Sequence, residues 1–176
     1  GPGEQIVYQD AYRSLNPRRS VGEAIMEGPI NYGVPRKAAL ERARRLMALV
    51  QMDPASLERY PHQFSGGQRQ RICIARALAV EPELLIADEA VSALDVSVQA
   101  QVLALLEEIR ARLDLAMLFI THDLRVAAQV CDHVAVMQHG RVVEYGPARE
   151  VFLAPRHEYT RALFAAAPGR GFAFGG

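Results

Sequence analysis

Lysine, cysteine and tryptophan are scarce or missing in this sequence. Of its 176 residues, two are cysteines, Cys73 and Cys131, none is tryptophan, and Lys37 is the only lysine. Two cysteines in separate apolar helical patterns provide neither a disulfide framework nor metal-ligand spacing, which is typical of a reducing compartment. The shortage of lysine also bears on phosphate binding, because the common phosphate-binding loop ends in Lys-Ser or Lys-Thr.

Charge of one sign and long hydrophobic runs are lacking as well. The formal net charge is +0, with 20 Lys and Arg against 20 Asp and Glu. No overall field therefore favours nucleic acid or an anionic membrane as a partner. No apolar run reaches the length needed to cross a bilayer. Hydrophobic residues nevertheless make up 50% of the chain, so a folded domain with a real core is expected.

The most informative stretch runs from Phe64 to Ala79 and reads FSGGQRQRICIARALA. Its first residues, Ser65, Gly66, Gly67 and Gln68, open an amphipathic helix. Glycines allow close approach of the backbone, and the free N–H groups and the dipole of a helix start favour an anion. The pattern therefore indicates a phosphate-facing helix start, although an SGG tripeptide alone is more typical of an ordinary loop and helix cap.

Two apolar runs predict buried strands that end in polar groups. The run from Leu84 to Ala87 closes on Asp88 and Glu89, and the run from Ala116 to Ile120 is followed by Thr121 and His122. An earlier β-like run, from Ile6 to Tyr8, ends at Gln9. Strands that alternate with helices predict a parallel sheet, whose ligands lie beyond the carboxyl ends of the strands. We therefore expect these polar side chains to share one site.

Helices are predicted between and after these strands. A short helix from Val21 to Glu27 should close at Gly28-Pro29, and a longer one should run from Pro35 to Val50 with a solvated basic face. Asp95 is placed to cap a helix from Val96 to Leu113. The C-terminal part predicts a strand at residues 134–137, a hairpin strand at 141–144 and closing helices at 147–153 and 159–166, followed by a frayed tail over residues 169–176.

Taken together, these motifs resemble the nucleotide-binding subunit of ABC transporters, in the branch that imports dipeptides and oligopeptides. The resemblance runs from Ile6 to Pro168 and follows the family's order: IVYQD, FSGGQRQR, LLIADE, SALD and ITHD. The branch is indicated by SLNP, SALDVSVQAQ and HEYTRALFAAAP. The resemblance implies an α/β fold of the P-loop NTPase type, with a parallel sheet and a helical subdomain.

The resemblance also implies roles for individual residues. Gln9 corresponds to the glutamine that senses Mg²⁺ and the γ-phosphate. The helix start at residues 65–68 corresponds to the signature motif, which holds the γ-phosphate of ATP bound mainly by the opposing subunit. Asp88 corresponds to the acid that helps hold Mg²⁺, and Glu89 to the residue that orients and deprotonates the attacking water. His122 corresponds to the imidazole that contacts the γ-phosphate. Asp95 belongs to the loop that links the two sites of the dimer.

One part of the family's pattern is missing from these 176 residues. No G-x-x-x-x-G-K-[ST] motif is present, and Lys37 lies between Arg36 and Ala38 on the basic helix, where it cannot serve. We therefore expect a fragment that begins just before Gln9 and lacks the phosphate-binding strand and helix. Its sheet should be incomplete, it should bind and hydrolyse ATP poorly on its own, and exposed strand edges should favour self-association.

The expected organisation of the fragment follows from the same resemblance. Residues 1–3 are interpreted as a cleavage scar, and residues 4–168 as a partial ATPase domain. Within that domain we expect a helical subdomain over residues 11–79, a core over 80–145 and C-terminal helices over 146–168.

The implied cofactors are ATP and Mg²⁺, and the implied partners are membrane permease subunits and a second ATPase subunit in a head-to-tail dimer. The expected location is the cytoplasmic face of the cell membrane. Two alternatives stay open: a non-catalytic partner that supplies the signature motif in trans, and an ATPase of DNA repair or chromosome organisation. The second type inserts a long coiled coil after the Gln9 region, which the short span from Asp10 to Phe64 disfavours.

Overall fold

A computed structural model describes residues 4–8, 14–167 and 171–175 of the chain. The described residues fall into two compact units, Gly1–Ile120 and Thr121–Gly176. The first unit contains three strands, β1 (Glu4–Tyr8), β2 (Leu84–Asp88) and β3 (Ala116–Ile120), and its helices are α1 (Val21–Asn31), α2 (Arg36–Leu49), α3 (Gly66–Leu78) and α4 (Val96–Leu113). Two 3₁₀ turns, Pro54–Glu58 and Pro61–Gln63, lie between α2 and α3.

The sheet of the first unit is parallel, with the strand order β1-β2-β3. Strand β2 is central, and its last residue, Asp88, is in register with Tyr8 of β1 and Ile120 of β3. The carboxyl ends of the three strands therefore lie at one edge of the sheet, as the alternation of strands and helices predicts. This sheet with its helical neighbours confirms the expected α/β architecture.

Helix α3 forms the middle of the first unit. It packs against α1, α2, α4 and β1, and most of its residues are buried, including Ile72, Cys73 and Ile74. Two arginine side chains connect α3 and the residue after it to other segments by donating to backbone carbonyls. Arg76 donates to Ser14 O at 2.7 Å, and Arg42 donates to Ala79 O at 2.7 Å.

Strand β3 differs from the prediction. Its bounds are as predicted, Ala116–Ile120, but it is not buried on both faces, because Leu118 is 50% and Ile120 is 44% exposed. Within the described residues β3 pairs only with β2. The prediction of a buried strand was wrong because an apolar run records what a strand could bury, while its actual burial depends on the elements that cover it.

Helix α1 also differs from the prediction. The helix does not close at Gly28-Pro29 but continues through Pro29 to Asn31. The N–H of Tyr32 bonds the carbonyls of Gly28 and Pro29, so the last turn is completed beyond the proline. Gly28 allows a close contact there, since a Cβ at this position would lie 2.7 Å from Val80 Cγ1.

The second unit contains the remaining elements. They are α5 (Leu124–Val130), β4 (His133–Gln138), β5 (Arg141–Pro147), α6 (Ala148–Leu153) and α7 (Glu158–Ala165). Strands β4 and β5 form the predicted antiparallel hairpin, which turns through His139 and Gly140, both with positive φ. Residues 171–175 have no regular secondary structure. The rings of Phe172 and Phe174, in the predicted frayed tail, contact the ring of Phe152, and whether the tail is frayed in solution stays a prediction.

Candidate functional site

The start of α3 has a complete capping box. The Ser65 hydroxyl accepts from the Gln68 N–H at 3.2 Å, and the Gln68 side-chain oxygen accepts from the Ser65 N–H at 2.9 Å. Both side chains are exposed and neutral. The helix start is therefore capped while carrying no negative charge of its own, which leaves the dipole and the other N–H groups of the first turn available to an anion.

The glycines of this motif are explained by the helix that packs beside them. A Cβ at Gly67, which is buried, would lie 2.5 Å from Val98 Cγ1 on α4. A Cβ at Gly66 would make an ordinary contact, 3.6 Å from Leu94 Cδ2. Gly67 thus permits the close approach of α4 to the start of α3, whereas Gly66 is left half-buried at the surface.

A groove of about 510 Å³ opens beside this helix start. Ser65, Gly67 and Gln68 contribute to its wall, together with Val98 and Gln101 of α4. Most of the other lining side chains are polar and include two guanidinium groups: Gln51, Asp53, Ser56, Arg59, Gln63 and Arg71. The wall of the groove thus carries two guanidinium groups against one carboxylate, that of Asp53, and this excess of positive charge suits an oxyanion.

The two acids at the end of β2 lie on a well-defined turn. Asp88 ends the central strand, and Glu89 follows with a left-handed φ of 50° while its N–H donates to Ile120 O at 2.7 Å. Ser92 closes the turn, because its N–H and its hydroxyl donate to Glu89 O at 3.1 and 3.0 Å. A left-handed conformation is uncommon for a residue with a side chain, and such positions cluster at functional sites.

The predicted helix cap at Asp95 is correct in position and wrong in mechanism. Helix α4 spans Val96–Leu113 as predicted, but the Asp95 side chain makes no capping hydrogen bond. The helix is instead begun by the main chain, because Gln99 N–H donates to Asp95 O at 2.7 Å. The exposed Asp95 carboxylate is therefore not used by its own helix.

His122 belongs to the second unit, two residues beyond β3, whereas Asp88 and Glu89 belong to the first. The next residue, Asp123, makes hydrogen bonds to Thr121 before His122 and to the first turn of α5 after it. The Asp123 N–H donates to the Thr121 hydroxyl at 3.0 Å, and its carboxylate caps α5 by accepting from Arg125 N–H at 3.0 Å. The convergence of His122 on the two acids stays a prediction, and Gln9 lies outside the described residues.

The donor set predicted for Mg²⁺ contains one described residue, Asp88, whose carboxylate at the end of β2 is an oxygen ligand of the kind that this cation prefers. Across residues 4–8, 14–167 and 171–175, no three His, Cys, Asp or Glu side chains are grouped so as to hold a metal by themselves. Whether Asp88 helps to hold Mg²⁺ together with Gln9 stays a prediction.

Some polar residues have roles that the sequence did not indicate. Arg42, interpreted as part of a solvated basic face, is partly buried against Ala79 O. Glu144 of β5 accepts from the backbone N–H groups of His157 and Arg156 at 2.8 and 3.0 Å, just before α7. These hydrogen bonds, led by that of His157, lower the pKa of Glu144 below its usual value. The sequence carried only a weak signal for these two roles, because each side chain bonds a backbone group that is distant in the sequence.

The cysteines behave as ordinary side chains of the interior. Cys73 is buried and lies 3.3 Å from the Ser14 hydroxyl, while Cys131 is partly buried. Burial raises the pKa of both thiols. Raised values disfavour the reactive thiolate, so neither cysteine has the character of a nucleophile.

The parallel sheet, the capped glycine helix start and the acids at the end of the central strand fit the ABC type of α/β fold that the sequence resemblance implies. The family model described as "ABC transporter" matches residues 2–92, just over half of the chain. The chain therefore belongs to the ABC transporter family.

Individual relatives refine this assignment. The chain is 51% identical over 165 residues to a Brucella ovis protein named for ATP binding in peptide import, covering 93% of this chain and 52% of the relative. It is 50% identical over 165 residues to the glutathione import ATP-binding protein GsiA of Pectobacterium atrosepticum, covering 93% and 26%. It is 52% identical over 166 residues to the peptidoglycan transport ATP-binding protein YejF of Agrobacterium fabrum, covering 93% and 30%.

A solved structure supports the fold. The chain aligns with cbiO1 of Clostridium perfringens, part of the ABC transporter complex cbiONQ, with a TM-score of 0.78 and 29% identity. The alignment covers 95% of this chain and 65% of cbiO1. The chain thus spans about half the length of the Brucella relative and a smaller share of the other two relatives. Among the described residues no helix is long and apolar enough to cross a membrane.

Proposed function

We propose that this chain is part of the ATP-binding subunit of an ABC importer for dipeptides and oligopeptides, in which ATP hydrolysis drives transport. The start of α3 is the observation that carries the proposal, because its capping box is neutral and exposed beside a groove with two arginines. An anion is the ligand that such a terminus favours. The importer class is supported by relatives named for the transport of peptides, glutathione and peptidoglycan.

Each predicted site residue has a role in this proposal. The helix start, Ser65 with Gly66, Gly67 and Gln68, holds the γ-phosphate of a nucleotide bound by the opposing subunit. Asp88 helps hold Mg²⁺, which neutralises phosphate charge when bound. Glu89 orients and deprotonates the attacking water. Gln9 senses Mg²⁺ and the γ-phosphate, and His122 contacts the γ-phosphate. Asp95 belongs to the loop that links the two sites. Positioning and charge neutralisation of this kind account for most of the catalysis in phosphoryl transfer.

The partners in this proposal follow from the same site. A second ATPase subunit binds head to tail, since the α3 start acts on a nucleotide held by the other subunit. Membrane permease subunits bind through the Gln9 region and the helical subdomain, residues 11–79, which places the protein on the cytoplasmic face of the cell membrane. Nucleic acid is not a partner, in keeping with the net charge of +0.

The direct test is complementation in trans. A second subunit with an intact lysine-bearing phosphate loop but an inactivated signature motif should hydrolyse ATP poorly alone. Mixing it with this chain should restore hydrolysis if the α3 start reaches the γ-phosphate. No gain in ATPase rate at saturating concentrations of a folded chain would contradict the proposal.

These 176 residues alone should bind ATP weakly and hydrolyse it negligibly, because no lysine-bearing phosphate loop is present in them. Calorimetric titration with Mg-ATP measures this directly. An affinity in the micromolar range for the isolated chain would contradict the expectation.

The isolated chain should also self-associate through β3. Leu118 and Ile120 are exposed on a strand that pairs with β2, and such strand edges recruit further strands. Light scattering should therefore report oligomers, and the double variant Leu118→Lys, Ile120→Lys should shift the chain toward the monomer. A monomeric parent chain would contradict this expectation.

A second candidate is a non-catalytic partner that supplies the α3 start in trans without ever binding ATP itself. The DNA-repair type of ATPase is disfavoured by helix length, because the helices described between Asp10 and Phe64 have at most 14 residues. Restored hydrolysis in the mixing experiment is the result that the second candidate also predicts.

A further inference from the structure

Four phenylalanines form an aromatic cluster in the second unit, defined as Phe152, Phe164, Phe172 and Phe174. Phe152 of α6 is its centre: the Phe164 ring stacks on it at 4.6 Å, and the rings of Phe172 and Phe174 meet it edge-on at 4.8 and 6.0 Å. The Arg149 guanidinium lies 5.2 Å from the centre of the Phe174 ring. The segment Gly171–Gly175 is therefore held against α6 and α7 by specific aromatic contacts.

The same cluster supports α5. Leu124 and Ala127, one helical turn apart on α5, pack against the buried centre formed by Ala128, Ala148 and Phe152. The tail also touches α5 directly, because a Cβ at Gly175 would lie 2.3 Å from the carbonyl oxygen of Gln129. Removal of the tail would thus uncover one side of α5, a helix of only 7 residues that has little stability of its own.

Helix α5 in turn fixes the chain at His122. The Asp123 carboxylate accepts from the N–H groups of Arg125 and Val126 at 3.0 and 3.4 Å, so it is bound to the first turn of α5. On its other side the Asp123 N–H donates to the Thr121 hydroxyl at 3.0 Å. The His122 backbone lies between these two contacts, so the first turn of α5 is one of the elements that set its position.

We propose that Gly171–Gly175 is a strap that clamps α5 and thereby positions His122, with Phe172 and Phe174 as positioning residues. The importance of His122 for the γ-phosphate rests on the proposed function. The strap itself concerns only contacts within the second unit, so it can be tested on the 176-residue chain without nucleotide.

The test compares the double variant Phe172→Ala, Phe174→Ala with the parent chain. Hydrogen exchange of the Ala127 and Cys131 amides, which bond Asp123 O and Ala127 O, should accelerate roughly tenfold or more when the packing is lost. The imidazole signals of His122, identified among the five histidines with His122→Gln, should shift and broaden. Leu153→Ala removes a side chain of the same unit that is 70% exposed, and should change neither measurement.

Three further variants separate positioning from general destabilisation. Gly175→Ala keeps all four aromatic rings but introduces a clash with Gln129 O, and should move the His122 signals in the same direction. Val136→Ala weakens the hairpin at a buried position and should lower the thermal midpoint without moving those signals. Conservative replacement by Phe172→Leu, Phe174→Leu should recover part of the amide protection.

Unchanged exchange and unchanged His122 signals in both the double alanine and the Gly175→Ala variants would overturn the strap. Equal shifts in Val136→Ala would overturn it too, since the effect would then be nonspecific. Failure of the trans ATPase experiment with these signals behaving as expected would refute the proposed function and leave the strap intact.

Discussion

Helices α1 and α3 begin with the same capping geometry but with different charge. Ser20 and Glu23 form the box of α1, with Ser20 accepting from Glu23 N–H at 3.2 Å, and Ser65 and Gln68 form that of α3 at the same distance. In α1 the third position carries a carboxylate, which already complements the dipole. In α3 it carries a neutral amide, so the dipole of α3 remains available to an external anion.

A capping box alone does not identify a phosphate site, since α1 has one as well. What distinguishes α3 is the neutral amide of Gln68, the close packing allowed by Gly67, and the arginines of the adjoining groove. A third helix start, that of α7, illustrates the opposite extreme, because the Glu144 carboxylate already occupies the N–H groups of Arg156 and His157.

The largest effect is expected when α3 is given the charge of α1. Gln68→Glu should keep the capping box and the stability, because a carboxylate also suits a helix start. It should nevertheless lower ATPase activity in trans by about a hundredfold, since the carboxylate repels the γ-phosphate. Glu23→Gln is the matched control and should leave that activity unchanged. Full activity of the Gln68→Glu mixture would mean that no anion binds at α3.

Alanine substitutions of the two glycines test the close packing of α4 against the start of α3. Gly67→Ala places a methyl group 2.5 Å from Val98 Cγ1 and should cost about 1–3 kcal/mol of unfolding free energy. Gly66→Ala meets Leu94 at an ordinary 3.6 Å and should cost much less. The measurement is the urea midpoint of each variant. The combination Gly67→Ala, Val98→Ala should recover stability, and an undiminished loss in that double variant would show that the cause lies elsewhere.

Removal of each capping hydroxyl tests whether the two boxes are equivalent for folding. Ser65→Ala and Ser20→Ala should each lower the unfolding free energy by roughly 1 kcal/mol, because each leaves a helix N–H without its acceptor. Only Ser65→Ala should also reduce activity in trans. Equal losses of activity in both variants would indicate a general effect of stability, not a contact with phosphate.

The smallest effect is expected at the start of α7. Backbone hydrogen bonds from His157 and Arg156 hold the pKa of Glu144 below its usual 4.5. Because the folded-state pKa is depressed, the stabilisation by Glu144 is complete above pH 4.5 and is lost as the pH falls through the lower folded value. Thermal midpoints of the parent and Glu144→Gln should therefore differ at neutral pH and converge in acid. A difference that is independent of pH would exclude this origin.

Elements with strong local signals were predictable from the sequence. Helix α4 has its predicted bounds, Val96–Leu113, because its apolar period and its flanking polar turn agree. The start of α3 was predictable because a serine, two glycines and a glutamine combine capping chemistry with close packing. The order of motifs then made the family recognisable, and the family model confirms it.

Features that depend on distant partners were not predictable. The exposure of Leu118 and Ile120 is decided by which elements cover β3, and an apolar run contains no record of them. Continuation of α1 through Pro29 depends on hydrogen bonds made one turn later. Asp95 has a typical capping residue type, yet the main chain begins the helix without its side chain. The roles of Arg42 and Glu144 likewise depend on carbonyl and amide groups far along the chain.

The guanidinium groups of Arg42 and Arg76 have a practical consequence for engineering the surface of this protein. Arg42 donates a hydrogen bond to the carbonyl of Ala79, and Arg76 donates one to the carbonyl of Ser14. The ammonium group of a lysine is compact and lies on a different stem, so it would not reproduce the planar geometry of these hydrogen bonds. A programme that exchanges arginines for lysines to improve solubility or crystal growth should therefore begin with Arg36 or Arg45, which are exposed, and spare these two.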